Sequence, residues 1–178
     1  MNAKRILISL AGIAVCCGVI LAANYGLGPV AQQRAEAEQL KIMQLLTGGE
    51  TFTKQDYAGD DENIRAVYAT ETGYLIETVT KGYADDITMW VGVSSEGEVN
   101  GVMVRDMHET AGLGLRASTD GEFFIQTMGA AGDLEVGTNA DAITGATVTS
   151  RALVKGINSA CAFVTGAEIE SGATEWEG

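Results

Sequence analysis

The sequence predicts an α+β protein, with a single N-terminal transmembrane helix and one extracytoplasmic domain of antiparallel sheet and flanking helices. Three observations predict it. An uncharged apolar run lies near the start of the chain, four short segments of strand character occupy its middle, and segments with helical spacing flank them. A length of 178 residues suits one modest domain plus an anchor.

The first element is the apolar run ILISLAGIAVCCGVILAA at 6–23. As a helix it rises close to the hydrocarbon thickness of about 30 Å. Lys4 and Arg5 precede it and no basic residue follows until Arg34. The positive-inside rule then leaves the N-terminus in the cytoplasm and the rest of the chain on the far side of the membrane. The rival reading is a cleaved signal peptide, for which Leu21-Ala22-Ala23-Asn24 offers small residues. The length of the run favours retention, and either reading exports the domain. Bulky Val15 before Cys16 argues against a lipoprotein signal. Gly12, Ala14, Cys16, Cys17 and Gly18 are small enough to let neighbouring membrane helices approach closely, in a generic anchor or in a multi-subunit complex.

The second element is an amphipathic helix at 30–46, just after Pro29, with apolar Val30, Ala35, Ala37, Leu40, Met43, Leu45 and Leu46 among charges. Thr47-Gly48-Gly49 stops it. An acidic loop, DYAGDDEN, follows at 56–63 and reads as a solvated turn. Strand segments are expected at 65–70, 74–81, 88–94 and 98–105, where Val, Ile, Thr and Tyr are frequent. The short Ser95-Glu96-Gly97 break makes the last two a hairpin. Ser118-Thr119-Asp120 caps a helix through Phe123, Phe124 and Met128, and 129–137 is a loop. A final helix at 148–164 shows Leu153, Ile157, Ala160, Cys161 and Val164 on one face. The expected organisation is an anchor at 1–25, a juxtamembrane helix at 26–50, a folded domain at 51–166 and an acidic tail at 167–178.

Composition narrows the function. The net charge of −13 repels phosphate backbones and speaks against DNA or RNA binding. One histidine and three cysteines cannot build a common Cys/His zinc site, and no metal ligand set is expected. Cys16 and Cys17 inside the apolar run speak against a disulfide framework. There is no dinucleotide fingerprint and no convincing nucleophile–base pair, so no catalytic residue is assigned.

The strongest chemical signal is Asp141-Ala142-Ile143-Thr144-Gly145-Ala146-Thr147-Val148-Thr149-Ser150, a glycine turn running into a helix. Free N–H groups and the positive end of a helix suit an anion there, and Thr147, Thr149 and Ser150 add hydroxyl donors. By spacing alone an ordinary N-cap is the commoner explanation. The wording D-x-x-[ST]-G-A-T, however, resembles the covalent flavinylation motif of FMN-binding domains in the Rnf and Nqr respiratory complexes. That resemblance implies a phosphoester between FMN and Thr147, made by a separate Mg²⁺-dependent flavin transferase, with Asp141, Thr144, Gly145, Ala146 and Thr149 in the cofactor-binding segment.

A second stretch, Met107-His108-Glu109-Thr110-Ala111-Gly112-Leu113-Gly114, is similar to the family's H-x-E-T-P-G-[LI]-G loop near the flavin. Ala111 stands where the family has proline, and His108 directly precedes Glu109. The resemblance implies that Glu109 and Thr110 orient the ring or ribityl hydroxyls, and that Gly112, Leu113 and Gly114 approach it. Lys81-Gly82-Tyr83 with Ile87 and Val91-Gly92-Val93 also resembles the family's strand-and-hairpin region. Ser171-Gly172-Ala173-Thr174 repeats part of the motif, but no apolar helix follows it.

The resemblance is closest to the G subunits of Rnf, and implies electron relay in an ion-translocating ferredoxin:NAD⁺ oxidoreductase. Implied partners are iron–sulfur subunits, a second covalent-flavin subunit and the flavin transferase. Alternatives are a C subunit of the Na⁺-translocating NADH:quinone reductase, a free-standing membrane-tethered flavoprotein, and a non-redox module that uses the glycine loop as a turn.

Overall fold

A computed structural model describes residues 16–18 and 32–167 of the chain. The expected anchor at 6–23 lies outside the described residues except for 16–18, which are helical. Among the described residues no helix is long and apolar enough to cross a membrane. The tail, with Thr174, also lies outside them. The chain divides into two units, Met1–Ile42 and Met43–Gly178. The boundary falls within the first helix, α1, which covers 32–47 and ends at Thr47 as its glycine stop predicts.

The second unit is α+β. Its five strands, β1 (Thr53–Gln55), β2 (Ile64–Ala69), β3 (Gly73–Lys81), β4 (Asp86–Ser94) and β5 (Val99–Met107), form an antiparallel sheet in sequence order. Four match expected segments to within a few residues. β1 has no counterpart in the sequence reading, because all three of its residues are exposed and polar and carry no alternation. Short turns from β2 through β5 leave this meander as the natural topology.

The expected helix from 118 through Met128 is shorter and broken. A 3₁₀ helix, Gly114–Ser118, comes first, and α2 covers only Gly121–Ile125. Asp120 caps α2 as expected, its carboxylate accepting from Phe123 N–H at 3.1 Å. The last turn tightens, with Thr127 N–H donating to the Phe124 carbonyl and Met128 N–H to that of Ile125. Left-handed Gly129 then turns the chain away.

The final helix, α3 (Thr147–Thr165), lies across one face of the sheet. Leu153, Ile157, Ala160 and Cys161 are buried as expected, with Val164 partly covered. They pack in one core with Val67, Ile76, Met89 and Val91. Gly156, in the middle of α3, permits close approach, since a Cβ there would lie 2.9 Å from Thr78 Oγ1. Burial, reinforced by the charge of Asp133, pushes the Cys161 thiol up to about 12, so it stays protonated and acts as a small apolar group.

The end of α1 covers part of the other face. Gly92 and Gly101 face each other across β4 and β5, and the Leu46 side chain and carbonyl sit on this bare patch. A Cβ at Gly92 would fall on the Leu46 carbonyl oxygen. The chain leaving α1 is clasped to the β2–β3 turn. The Glu71 carboxylate accepts from Glu50 N–H and Thr51 N–H at 3.1 Å each and from the Thr51 hydroxyl. Thr72 donates its hydroxyl to the Thr47 carbonyl at 2.8 Å. The Thr51 hydroxyl above all, with backbone N–H groups, holds the Glu71 carboxyl down at about 2.

Two outcomes test this arrangement. Gly92→Ala should lower the free energy of unfolding by about 2 kcal/mol in urea titrations, because the new methyl meets backbone rather than a flexible side chain. The folded pKa of Glu71 lies below its unfolded value near 4.5, so its stabilisation is present above that value and lost as pH falls towards about 2. The stability gap between wild type and Glu71→Gln should therefore be constant at neutral pH and close over that acid window in unfolding curves.

Candidate functional site

Three segments meet at the start of α3: the β3–β4 turn, the loop after β5, and the turn that leads into the helix. Between them lies a cleft of about 470 Å³ lined by Tyr83, Glu109, Thr110, Leu113, Gly114 and residues 145–149. Thr147 is exposed at its wall, and Tyr83 and Leu113 leave 70% and 44% of their surface open to it and to solvent.

The helix start is built without a cap. Ala146 occupies the N-cap position, has no side-chain acceptor to offer, and is followed by no acidic residue in the first turn. Ala146 N–H is used by the Ile143 carbonyl at 2.8 Å, and the first helical bond is from Ser150 N–H to the Ala146 carbonyl. The amides of Thr147, Val148 and Thr149 have no acceptor among the described residues. Their shared need is an anion, and the helix dipole adds to it. Ser150 fixes the turn from inside the helix, accepting from Ile143 N–H and donating to the Ala146 carbonyl, at 3.0 Å each.

Glu109 ties the three segments together. It is buried, and its two oxygens are used separately. Oε1 accepts from Ala84 N–H at 3.1 Å and Oε2 accepts from the Thr149 hydroxyl at 3.1 Å. Two glycines make room for it: a Cβ at Gly82 would overlap Oε1, and one at Gly114 would lie 2.8 Å from Oε2. Gly145 serves the opposite wall. Its φ of +78° is left-handed, and a Cβ would come within 2.9 Å of Leu113 Cδ2. In this arrangement Glu109 holds the loop in place, with little surface left to meet a ring directly.

The cleft thus gathers most of the residues singled out in the sequence: Glu109, Thr110, Leu113, Gly114, Gly145, Ala146, Thr147 and Thr149. Asp141 and Thr144 lie elsewhere. They line a second cleft of about 320 Å³ with Arg116, Asp120, Glu122 and Gln126. Gly112 lines neither; its φ of +78° makes it the turn glycine of the loop. His108 is exposed, with Nδ1 3.6 Å from Asp106 Oδ1. No site role for Tyr83 or Gly82 is legible in the sequence, although both lie in Lys81-Gly82-Tyr83, which resembles the family. The sequence carries no signal at all for Gln126, whose contact is made across the fold.

The profile of the FMN-binding domain family matches residues 82–162, a span that begins at the β3–β4 turn and ends in α3. The chain is 33% identical over 161 residues to the G subunit of the proton-translocating ferredoxin:NAD⁺ oxidoreductase complex of Clostridium ljungdahlii, covering 83% of this chain and 84% of that one. The chain belongs to this family of FMN-binding G subunits. It is also 30% identical to the G subunit of the ion-translocating oxidoreductase complex of Shewanella baltica, over 82% and 81% of the two chains. The corresponding protein of Methanosarcina acetivorans is 25% identical, over 92% and 95%.

The cleft fits FMN. Open amides would meet its phosphate, exposed Leu113 and Tyr83 would suit its flat aromatic ring, and Gly114 and Gly145 leave the floor shallow. The Glu109 junction gives the site its test. Thr149→Val would leave Glu109 Oε2 buried without its partner, at a cost of about 1–3 kcal/mol. Unfolding curves should show that loss, and hydrogen exchange should quicken at Ala84 N–H on the far side of the carboxylate.

Proposed function

We propose that this chain is the electron-relaying G subunit of a membrane-bound, ion-translocating ferredoxin:NAD⁺ oxidoreductase complex, carrying FMN as a phosphoester on Thr147. The observation that carries the reading is the uncapped start of α3, where three unpaired amides lie beside an exposed threonine hydroxyl at the wall of the cleft.

The Thr147 hydroxyl is the group modified. Its oxygen displaces the leaving group of an activated flavin phosphate, and its proton departs with that leaving group. No residue lining the cleft is arranged as a base for Thr147, since Glu109 is already engaged by Ala84 and Thr149. This agrees with modification by a separate flavin transferase. The amides of residues 147–149 then hold the phosphodiester, Leu113 and Tyr83 face the ring, and Glu109 and Gly145 keep the walls in register.

FMN supplies one- and two-electron transfer, and the protein supplies placement and field. In this reading an anchor at 6–23 tethers the domain outside the cytoplasm. The chain passes electrons between an iron–sulfur subunit and a second flavin subunit of the complex, and other subunits bind ferredoxin and NAD⁺.

Thr147→Ala tests the attachment. Wild-type chain expressed with a competent flavin transferase should carry the mass of one FMN unit and fluoresce on a denaturing gel. The variant should lose both signals while keeping its unfolding midpoint, because Thr147 is exposed and caps nothing. A flavin band that persists in the variant would falsify the assignment.

A further inference from the structure

The turn that carries Thr147 is exposed along most of its length: Asp141, Ala142, Thr144, Gly145 and Thr147 all face solvent. Such a segment needs anchors if its hydroxyl is to sit at a fixed point. Ser150 supplies one from the helix side. The other comes from across the fold. Gln126, the C-cap of α2, accepts from Asp141 N–H through Oε1 at 2.8 Å and donates through Nε2 to the Asp141 carbonyl at 3.1 Å.

A single carboxamide therefore satisfies both backbone groups of one residue. The paired bonds fix the amide's orientation, since only this assignment of oxygen and nitrogen gives each atom a complementary partner. The position of Gln126 is itself set by α2, which is capped by Asp120 and rooted in the core by Phe123. The second cleft lies at this junction, and Gln126 and Asp141 both line it.

We infer that Gln126 is a positioning residue for covalent flavin attachment: by gripping the Asp141 backbone it presents the 141–147 turn in the one shape that exposes Thr147 for modification. This rests on the reading that Thr147 carries FMN. Gln126 acts through the backbone of the turn and touches neither the threonine nor the phosphate site. The contact spans 15 residues in sequence. Loss of the grip leaves the Ser150 anchor in place and frees the N-terminal half of the turn.

The test uses the full chain in detergent, expressed with a flavin transferase. Gln126→Met keeps the length of the side chain and removes both bonds. Gln126→Glu keeps the acceptor for Asp141 N–H and sets a carboxylate against the Asp141 carbonyl. Loading is followed over time by intact mass, and protection of the Asp141 amide by hydrogen exchange.

Gln126→Met should load about tenfold more slowly and lose about tenfold in protection, the scale of one or two net hydrogen bonds. Its unfolding midpoint should fall by only the few degrees that a loss of this size implies, with the transition still cooperative. Gln126→Glu, which keeps the acceptor and loses the donor, should retain part of the Asp141 protection and load at a rate between those of wild type and Gln126→Met. Wild-type rates of loading in Gln126→Met would overturn the inference, as would slower loading accompanied by loss of the cooperative unfolding transition. Absence of the FMN mass from wild type itself would instead overturn the attachment at Thr147.

Discussion

The buried carboxylate of Glu109 is the joint on which the cleft depends. It links a strand turn, a loop and a helix that share no continuous sequence, through one bond to Ala84 and one to Thr149. Charged hydrogen bonds of this kind contribute about 1.5–3 kcal/mol each, a large share of the roughly 5–15 kcal/mol that holds a domain folded. Gly82 and Gly114 are part of the same joint, because any side chain there would occupy the space of the carboxylate. The negative charge is also well placed electrostatically, beside the positive end of α3.

The field in the cleft comes from backbone. In a chain of net charge −13, no lysine or arginine among the described residues lines the cleft at the start of α3, and the uncapped amides at 147–149 supply its positive potential. Backbone dipoles are fixed by the helix and lose no side-chain entropy when an anion arrives. Tyr83 and Glu109 are the titratable side chains in the lining, and Glu109 is held within hydrogen bonds. Such a site suits a carrier, whose work is to hold a redox group in place and let electrons pass.

The sheet separates two tasks. One face bears α3, whose start borders the cleft; the other bears the Leu46 end of α1 on the Gly92–Gly101 patch. The Glu71 clasp and the cleft lie at opposite ends of β3, about 27 Å apart at the usual rise of an antiparallel strand. The length of the strand thus keeps the point where the chain enters the domain apart from the cleft.

The sequence by itself determined the α+β class, four of the five strands, the stop at Thr47, the Asp120 cap and the final helix, because each is written in local periodicity or a local cap. It also determined that Thr147 begins a helix after a glycine turn, and the two motifs marked the segments that form the cleft. Only the tertiary structure decided how those segments divide. It made Glu109 a buried joint, put Asp141 and Thr144 on a second cleft, brought Tyr83 to the first and set Gln126 on the Asp141 backbone. The three exposed residues of β1 and the early end of α2 were likewise settled by pairing and by i−3 bonds, for which composition carries no sign. Apart from the end of α2, which local bonds set, the physical reason is the same: these contacts join residues far apart in the chain, and a side chain's partner across a fold leaves no period in the sequence around it.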